Sequence, residues 1–182
     1  MKAFFVLAAI TLAQSAEEKA KAYIESNQVT ERHEVLANMV GEWTAVQKVF
    51  IPDRPPAESE ASATGVSRYG GRFVFLEFEG RSMGRRVEVL TIFGYDVYKE
   101  EYIAVALGES GTTMYTSAGE YDASTKTLDL RGEMHDAFGK HPVRYTFRFE
   151  GDDELVFDAY DTDEGRERRV VEITYRRRET AP

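Results

Sequence analysis

The chain has 182 residues, of which 42% are hydrophobic, enough for one domain around a sizeable core. Its formal charge of −9 sets it against nucleic acid, whose phosphates an acidic surface repels. It contains no cysteine, which excludes disulfides, catalytic thiols, thiolate metal sites and a lipid anchor on a processed N-terminal cysteine.

Residues 1–15 read as a secretory signal peptide. Lys2 gives a positive start, Phe4 to Ala13 is apolar apart from Thr11, and Ala13-Gln14-Ser15 puts small residues at −3 and −1 of a cleavage after Ser15. About ten apolar residues fall well short of the ~20 that an integral membrane span needs. The expected address is therefore a bacterial periplasm or the medium, where a large core substitutes for disulfide staples. Residues 16–29 form a helical or flexible segment. Its Ala16–Ser26 stretch is rich in helix formers, with Glu17 and Glu18 at the start and a thin apolar side through Ala20, Tyr23 and Ile24.

A second short helix is predicted over Thr30–Met39. Thr30 is the N-cap, Glu31 and Glu34 put negative charge in the first turn, and Leu36, Met39 and Val40 make an apolar side before Gly41 stops it. Period-two alternation then predicts ten strands: Trp43–Phe50, Ala61–Tyr69, Arg72–Glu79, Arg86–Tyr95, Tyr102–Leu107, Thr113–Tyr121, Thr127–Met134, Val143–Glu150, Glu154–Tyr160 and Arg168–Arg177. Pro52, Pro55 and Pro56 break the chain after the first strand, and Gly70-Gly71 and Gly151-Asp152-Asp153 make tight hairpin turns. No helical crossover separates the strands. The fold class that follows is all-β: a single antiparallel up-and-down β-barrel of about ten strands over residues 30–178, with one or two short N-terminal helices and a tail at 179–182.

The alternation also separates a dry face from a wet one. In the eighth strand Val143, Tyr145, Phe147 and Phe149 oppose Arg144, Thr146, Arg148 and Glu150; in the tenth, Val171, Ile173 and Tyr175 oppose Glu172, Thr174 and Arg176. The third strand is apolar on both sides, with Phe73 and Phe75 against Val74, Leu76 and Phe78, so its outer face should be covered, the Thr30 helix being one candidate. Asp96 and Asp122 each follow a Tyr at a strand end and read as turn builders. Arg176-Arg177-Arg178 reads as a solvated strand end.

The interior is the place to look for function. Trp43, Val89, Phe93, Tyr145, Phe147, Ile173 and Tyr175 are expected to point inward, with Met83 and Met114 near an opening. Such a lumen suits a small apolar or amphipathic molecule, unless the side chains simply fill it and the protein is a structural one of the envelope. If the face of Phe73 and Phe75 is the lumen, Phe75 joins the lining. Glu77 then becomes a carboxyl in a partly apolar pocket, able to serve a hydrolase or isomerase as acid or base. The alternative is that this face turns outward and Glu77 and Glu79 are solvated. No Gly-x-Ser-x-Gly elbow is present. The three histidines are His33, ahead of the strands, and His135 and His141 in one loop around Gly139, a weak metal pair even with Asp136. No metal and no cofactor is therefore expected.

Gly41-Glu42-Trp43 after a short helix resembles the start of the first strand in calycin-type barrels. The wider pattern resembles a bacterial family, domain-of-unknown-function family 1579. The similar stretches are His33–Trp43 (HEVLANMVGEW), Gly70-Gly71-Arg72-Phe73, Phe93-Gly94-Tyr95-Asp96, Gly119–Glu133 (GEYDASTKTLDLRGE) and Glu172-Ile173-Thr174-Tyr175. Their order and spacing cover about Thr30 to Arg178; the sequence departs from the pattern at Arg85-Arg86, where apolar residues are expected. The resemblance implies a closed, calycin-like (lipocalin- or nitrobindin-like) barrel and brings no activity or catalytic residues. Some barrels resembling this one hold haem through one His, but here no His falls within a predicted strand.

Overall fold

The computed structural model describes residues 15–179 apart from 83, 110, 138 and 164. The predicted signal segment lies outside the described residues except for Ser15. The chain divides into two units, one up to Thr30 and one from Glu31 onward. In the first, residues 15–26 are helical (α1). Lys21 and Glu25 pair one turn apart, and Asn27 Nδ2 donates to the Tyr23 carbonyl at 2.7 Å, satisfying one of the helix's last carbonyls.

The second unit begins with α2 (Glu31–Ala37) and continues as β1 (Gly41–Val49), β2 (Ala57–Arg68), β3 (Phe73–Ser82), β4 (Arg85–Asp96), β5 (Glu101–Gly108), β6 (Tyr115–Asp122), β7 (Thr127–Asp136), β8 (Gly139–Glu150), β9 (Glu154–Asp163) and β10 (Arg166–Arg177). Each strand pairs antiparallel with its chain neighbours, and β1 closes on β10, with Trp43 opposite Arg177 and Val49 opposite Val171. The barrel is closed and ten-stranded, as the hairpin series predicts.

Local chemistry sets the turns. Asp96 Oδ1 accepts from the backbone N–H groups of Tyr98 and Lys99, and Asp122 accepts from the N–H and hydroxyl of Ser124 and the hydroxyl of Thr125. These bonds hold the Asp122 carboxyl below its usual range, the Ser124 hydroxyl contributing most. Both aspartates are scaffold.

Several boundaries differ from the predicted ones by up to four residues, and two of the differences have a clear local reason. α2 gives way after Ala37 to a tighter turn, in which Met39 and Val40 donate to carbonyls three residues back, Leu36 and Ala37. β8 starts at Gly139 rather than Val143 and so includes Pro142. Residues 139–142 pair only with β7, the pairing with β9 beginning at Val143, so the missing proline N–H has no neighbour to serve.

α2 closes one end of the barrel; it does not cover the outer face of β3. Buried Leu36 and Met39 join the core with Trp43, Phe93 and Tyr102. The Trp43 indole N–H donates to the Met39 carbonyl at 3.2 Å and the Tyr102 hydroxyl to the Arg32 carbonyl at 2.9 Å. That same Met39 carbonyl occupies the place a Cβ on Gly65 would need, so the helix end seats directly on the β2 backbone. The outer face of β3 is covered instead by its own hairpin and neighbours: Tyr69 leans on Phe73 and Phe75, and the Phe73 ring lies over Gly94.

Candidate ligand-binding lumen

Closure decides which residues look inward. From β1 these include Trp43, Ala45 and Gln47; from β4, Val87, Val89, Thr91 and Phe93; from β10, Val171, Ile173 and Tyr175. The half of the interior nearest α2 is packed solid. Tyr95 meets Tyr102 at 4.9 Å, Leu128 and Leu155 are fully buried, and Phe93 meets Phe147 edge-on at 5.0 Å where this half borders the other. The other half is not filled. A cavity of about 260 Å³ lies there, and Ala104, Ala106 and Ala159 make the room for it. Its wall is mostly apolar, and its polar groups are Gln47, Thr91, Tyr115, Ser117, Tyr145 and Tyr175.

Of the residues expected in the site, Val89, Tyr145, Phe147, Ile173 and Tyr175 line this cavity. Trp43 and Phe93 are buried in the packed half. Phe75 is corrected: it is partly buried on the outer wall, opposite Val66 and Ile92. Glu77 shares that outer face and is exposed, so it cannot act as an acid or base in the lumen. Period two puts Leu76 and Phe78 inside and their odd-numbered neighbours outside. Met114 stands 66% exposed just before β6, in an outer dip with Thr113, Glu133 and His135, and Met83 lies outside the described residues. Arg86 points outward, pairing with Glu79 at 3.0 Å and with Glu88, whereas Arg85 has the inward parity of Val87 and is exposed at the start of β4.

Gln47, Ala106, Tyr115 and Ser117 were legible only as the inward parity of their strands, since none is a large apolar residue. Three buried side-chain oxygens among the described residues lack a hydrogen-bond partner, on Gln47, Asp129 and Asp161, and of these only Gln47 lines the cavity. Gln47 is 6% exposed, and the unpartnered atom is its Oε1. Burial pushes the Tyr145 phenol up to about 12, with Tyr115 and Asp161 adding smaller effects, and burial alone pushes Tyr175 up as well. Both phenols are neutral at pH 7 and can donate a hydrogen bond.

Among the described residues no group of three or more acidic, His or Cys side chains is placed to hold a metal. His33 is buried at the α2 end, edge-on to Tyr95 at 5.8 Å, and His141 sits beside Asp136 and Asp161 on the β7–β8 side. No histidine lines the cavity, so the residues do not fit a His-held haem.

A family model described as "Protein of unknown function (DUF1579)" matches residues 28–177, which takes in α2 and all ten strands of the barrel. The chain belongs to the DUF1579 family. No curated protein matches it. Among solved structures, the DUF1579 barrel is similar to Rv2717c from M. tuberculosis, with a TM-score of 0.63 and 15% identity over 84% of this chain and 100% of that one. It is also similar to the S-type phycobiliprotein lyase CPES from Guillardia theta, with a TM-score of 0.57 and 11% identity over 87% of this chain and 98% of that one. Likeness at these identities shows the fold alone. Among the described residues of the DUF1579 chain, no helix is long and apolar enough to cross a membrane.

Proposed function

We propose that this DUF1579 barrel is an exported protein that binds one small, largely apolar molecule in its lumen. The observation that carries the reading is the cavity of about 260 Å³ walled by apolar side chains with a few neutral polar groups. An apolar cavity of about 150 Å³ holds benzene, so this one suits a molecule of roughly ten non-hydrogen atoms. Glu77 is on the outer wall and no carboxyl lines the cavity itself, although Asp161 acts on the Tyr145 phenol from beyond its edge.

Native mass spectrometry of gently purified protein tests the reading. A co-purifying small mass is expected, absent from Ala106→Phe, whose added ring fills the cavity where three alanines leave space. Protein that carries nothing and is indifferent to Ala106→Phe in every ligand assay would remove the lumen from consideration. The address rests on Lys2, the apolar Phe4–Ala13 stretch and the small residues at Ala13 and Ser15. Protein recovered from the periplasm or medium should begin at Ala16; an intact Met1 in the cytoplasm contradicts export.

A further inference from the structure

Gln47 gives this cavity a preference. An amide oxygen desolvated inside an apolar wall and left without a partner is a cost that folding alone does not repay. The side chain is not stranded in the packed half of the barrel: it lines the cavity, beside Ile173 of the neighbouring strand. β1 and β6 stand five strands apart in either direction around the closed ring, so they are diametrically opposed. The wall across from Gln47 is therefore the one that carries Tyr115 and Ser117, and the small residues Ala104 and Ala106 next to it leave space between the two.

We propose that Gln47 is the polar anchor of the lumen, and that the ligand is a neutral alcohol or phenol whose hydroxyl meets the Gln47 amide while its apolar body fills the space beside Ala104 and Ala106. This rests on the lumen-binding reading above and adds the chemical class. A hydroxyl serves whichever way the amide lies, since it donates to the oxygen and accepts from the nitrogen. A carboxylate or ammonium is disfavoured, because no charged side chain lines the cavity to compensate it. The opposite hydroxyls of Tyr115 and Ser117 are secondary partners for a ligand that carries a second polar atom.

The test uses two probes matched in size, 4-propylphenol and 4-propyltoluene, titrated calorimetrically into the full-length protein. The ratio of their affinities in wild type should exceed that in Gln47→Leu roughly tenfold, with the phenol weakened and the hydrocarbon strengthened in the variant. Gln47→Met, unbranched and close in length, supplies the same ratio should Gln47→Leu not fold. A readout independent of any variant is the side-chain amide NMR signal of Gln47, which should shift on adding the phenol and stay still with the hydrocarbon. Both probes bound with a ratio unchanged by the variants, or a Gln47 signal blind to the phenol, overturns the anchor while leaving lumen binding intact. Neither probe bound at all, with Ala106→Phe no different from wild type, overturns both readings together.

Discussion

Arg177 holds three parts of the chain at once. Its guanidinium donates to the carbonyls of Val40 at 2.6 Å, Asn38 at 3.2 Å and Asp152 at 2.9 Å, and it lies 4.2 Å above the Trp43 ring. Two of those carbonyls lie in the turn that follows α2, one belongs to the β8–β9 turn, and the ring opens β1. The neighbouring glycine is explained by the same group: Gly41 has φ +132°, and a Cβ there would run into the Arg177 guanidinium. A lysine carries a single ammonium and cannot reproduce the planar fork. Arg177→Lys should therefore lower unfolding free energy in urea by about 1–3 kcal/mol. Arg176→Lys, on a side chain 73% exposed and paired with Glu154, should stay within about 0.5 kcal/mol. The run Arg176-Arg177-Arg178 reads as a solvated strand end because three adjacent cations look alike in sequence. Only the middle one meets the turn after α2, and that meeting depends on barrel closure.

At the level of elements, α2 acts as a stopper. Leu36 and Met39 are fully buried among side chains from several strands, so Leu36→Ala should cost about 2–5 kcal/mol, read as a lowered urea midpoint. The cavity lies at the far end of the barrel, and phenol binding should survive that substitution wherever the protein remains folded. The strands themselves were readable, since alternation and turn residues are local signals. What alternation leaves open is which of two apolar faces is the inner one. In β3 both Phe73 with Phe75 and Leu76 with Phe78 satisfy a dry-face pattern, so Phe75 and Glu77 could be read as lumen residues. Register with β2 and β4 settles the question, because the Leu76 and Phe78 face continues into the inward Ala63 and Val89. The helix was similarly readable as amphipathic, but an apolar side does not say which surface it meets. Gln47 is not legible in the sequence as a lumen residue, because a polar side chain on an inward parity looks like a strand that has turned toward water.

At the level of the whole molecule, the lumen should reveal itself through alkali. Burial raises the Tyr145 phenol to about 12, so the folded state resists an ionisation that the unfolded chain undergoes near pH 10. The stability this contributes is fully present below about pH 10 and is lost as the pH rises through 12. Wild-type Tm should fall between those values more steeply than that of Tyr145→Phe, and a phenolate absorbance that develops late in the folded protein should accompany it. A bound ligand raises stability by mass action, so Tm at pH 7, where 4-propylphenol is neutral, with and without that phenol also reports occupancy. The closure of β1 on β10 has a separate consequence, in time rather than in structure. Nine of the ten strand pairings join chain neighbours, whereas the closing seam brings together Thr44 and Arg176, 132 residues apart. Long-range pairing carries the largest loop-closure cost and is the slow event in folding. The hairpins from β1 to β9 can form locally before residues 166–177 dock, and until then the sheet has bare edges at β1 and β9. The last dozen strand residues thus govern both how quickly the protein is finished and how long it is vulnerable to pairing with another copy of itself.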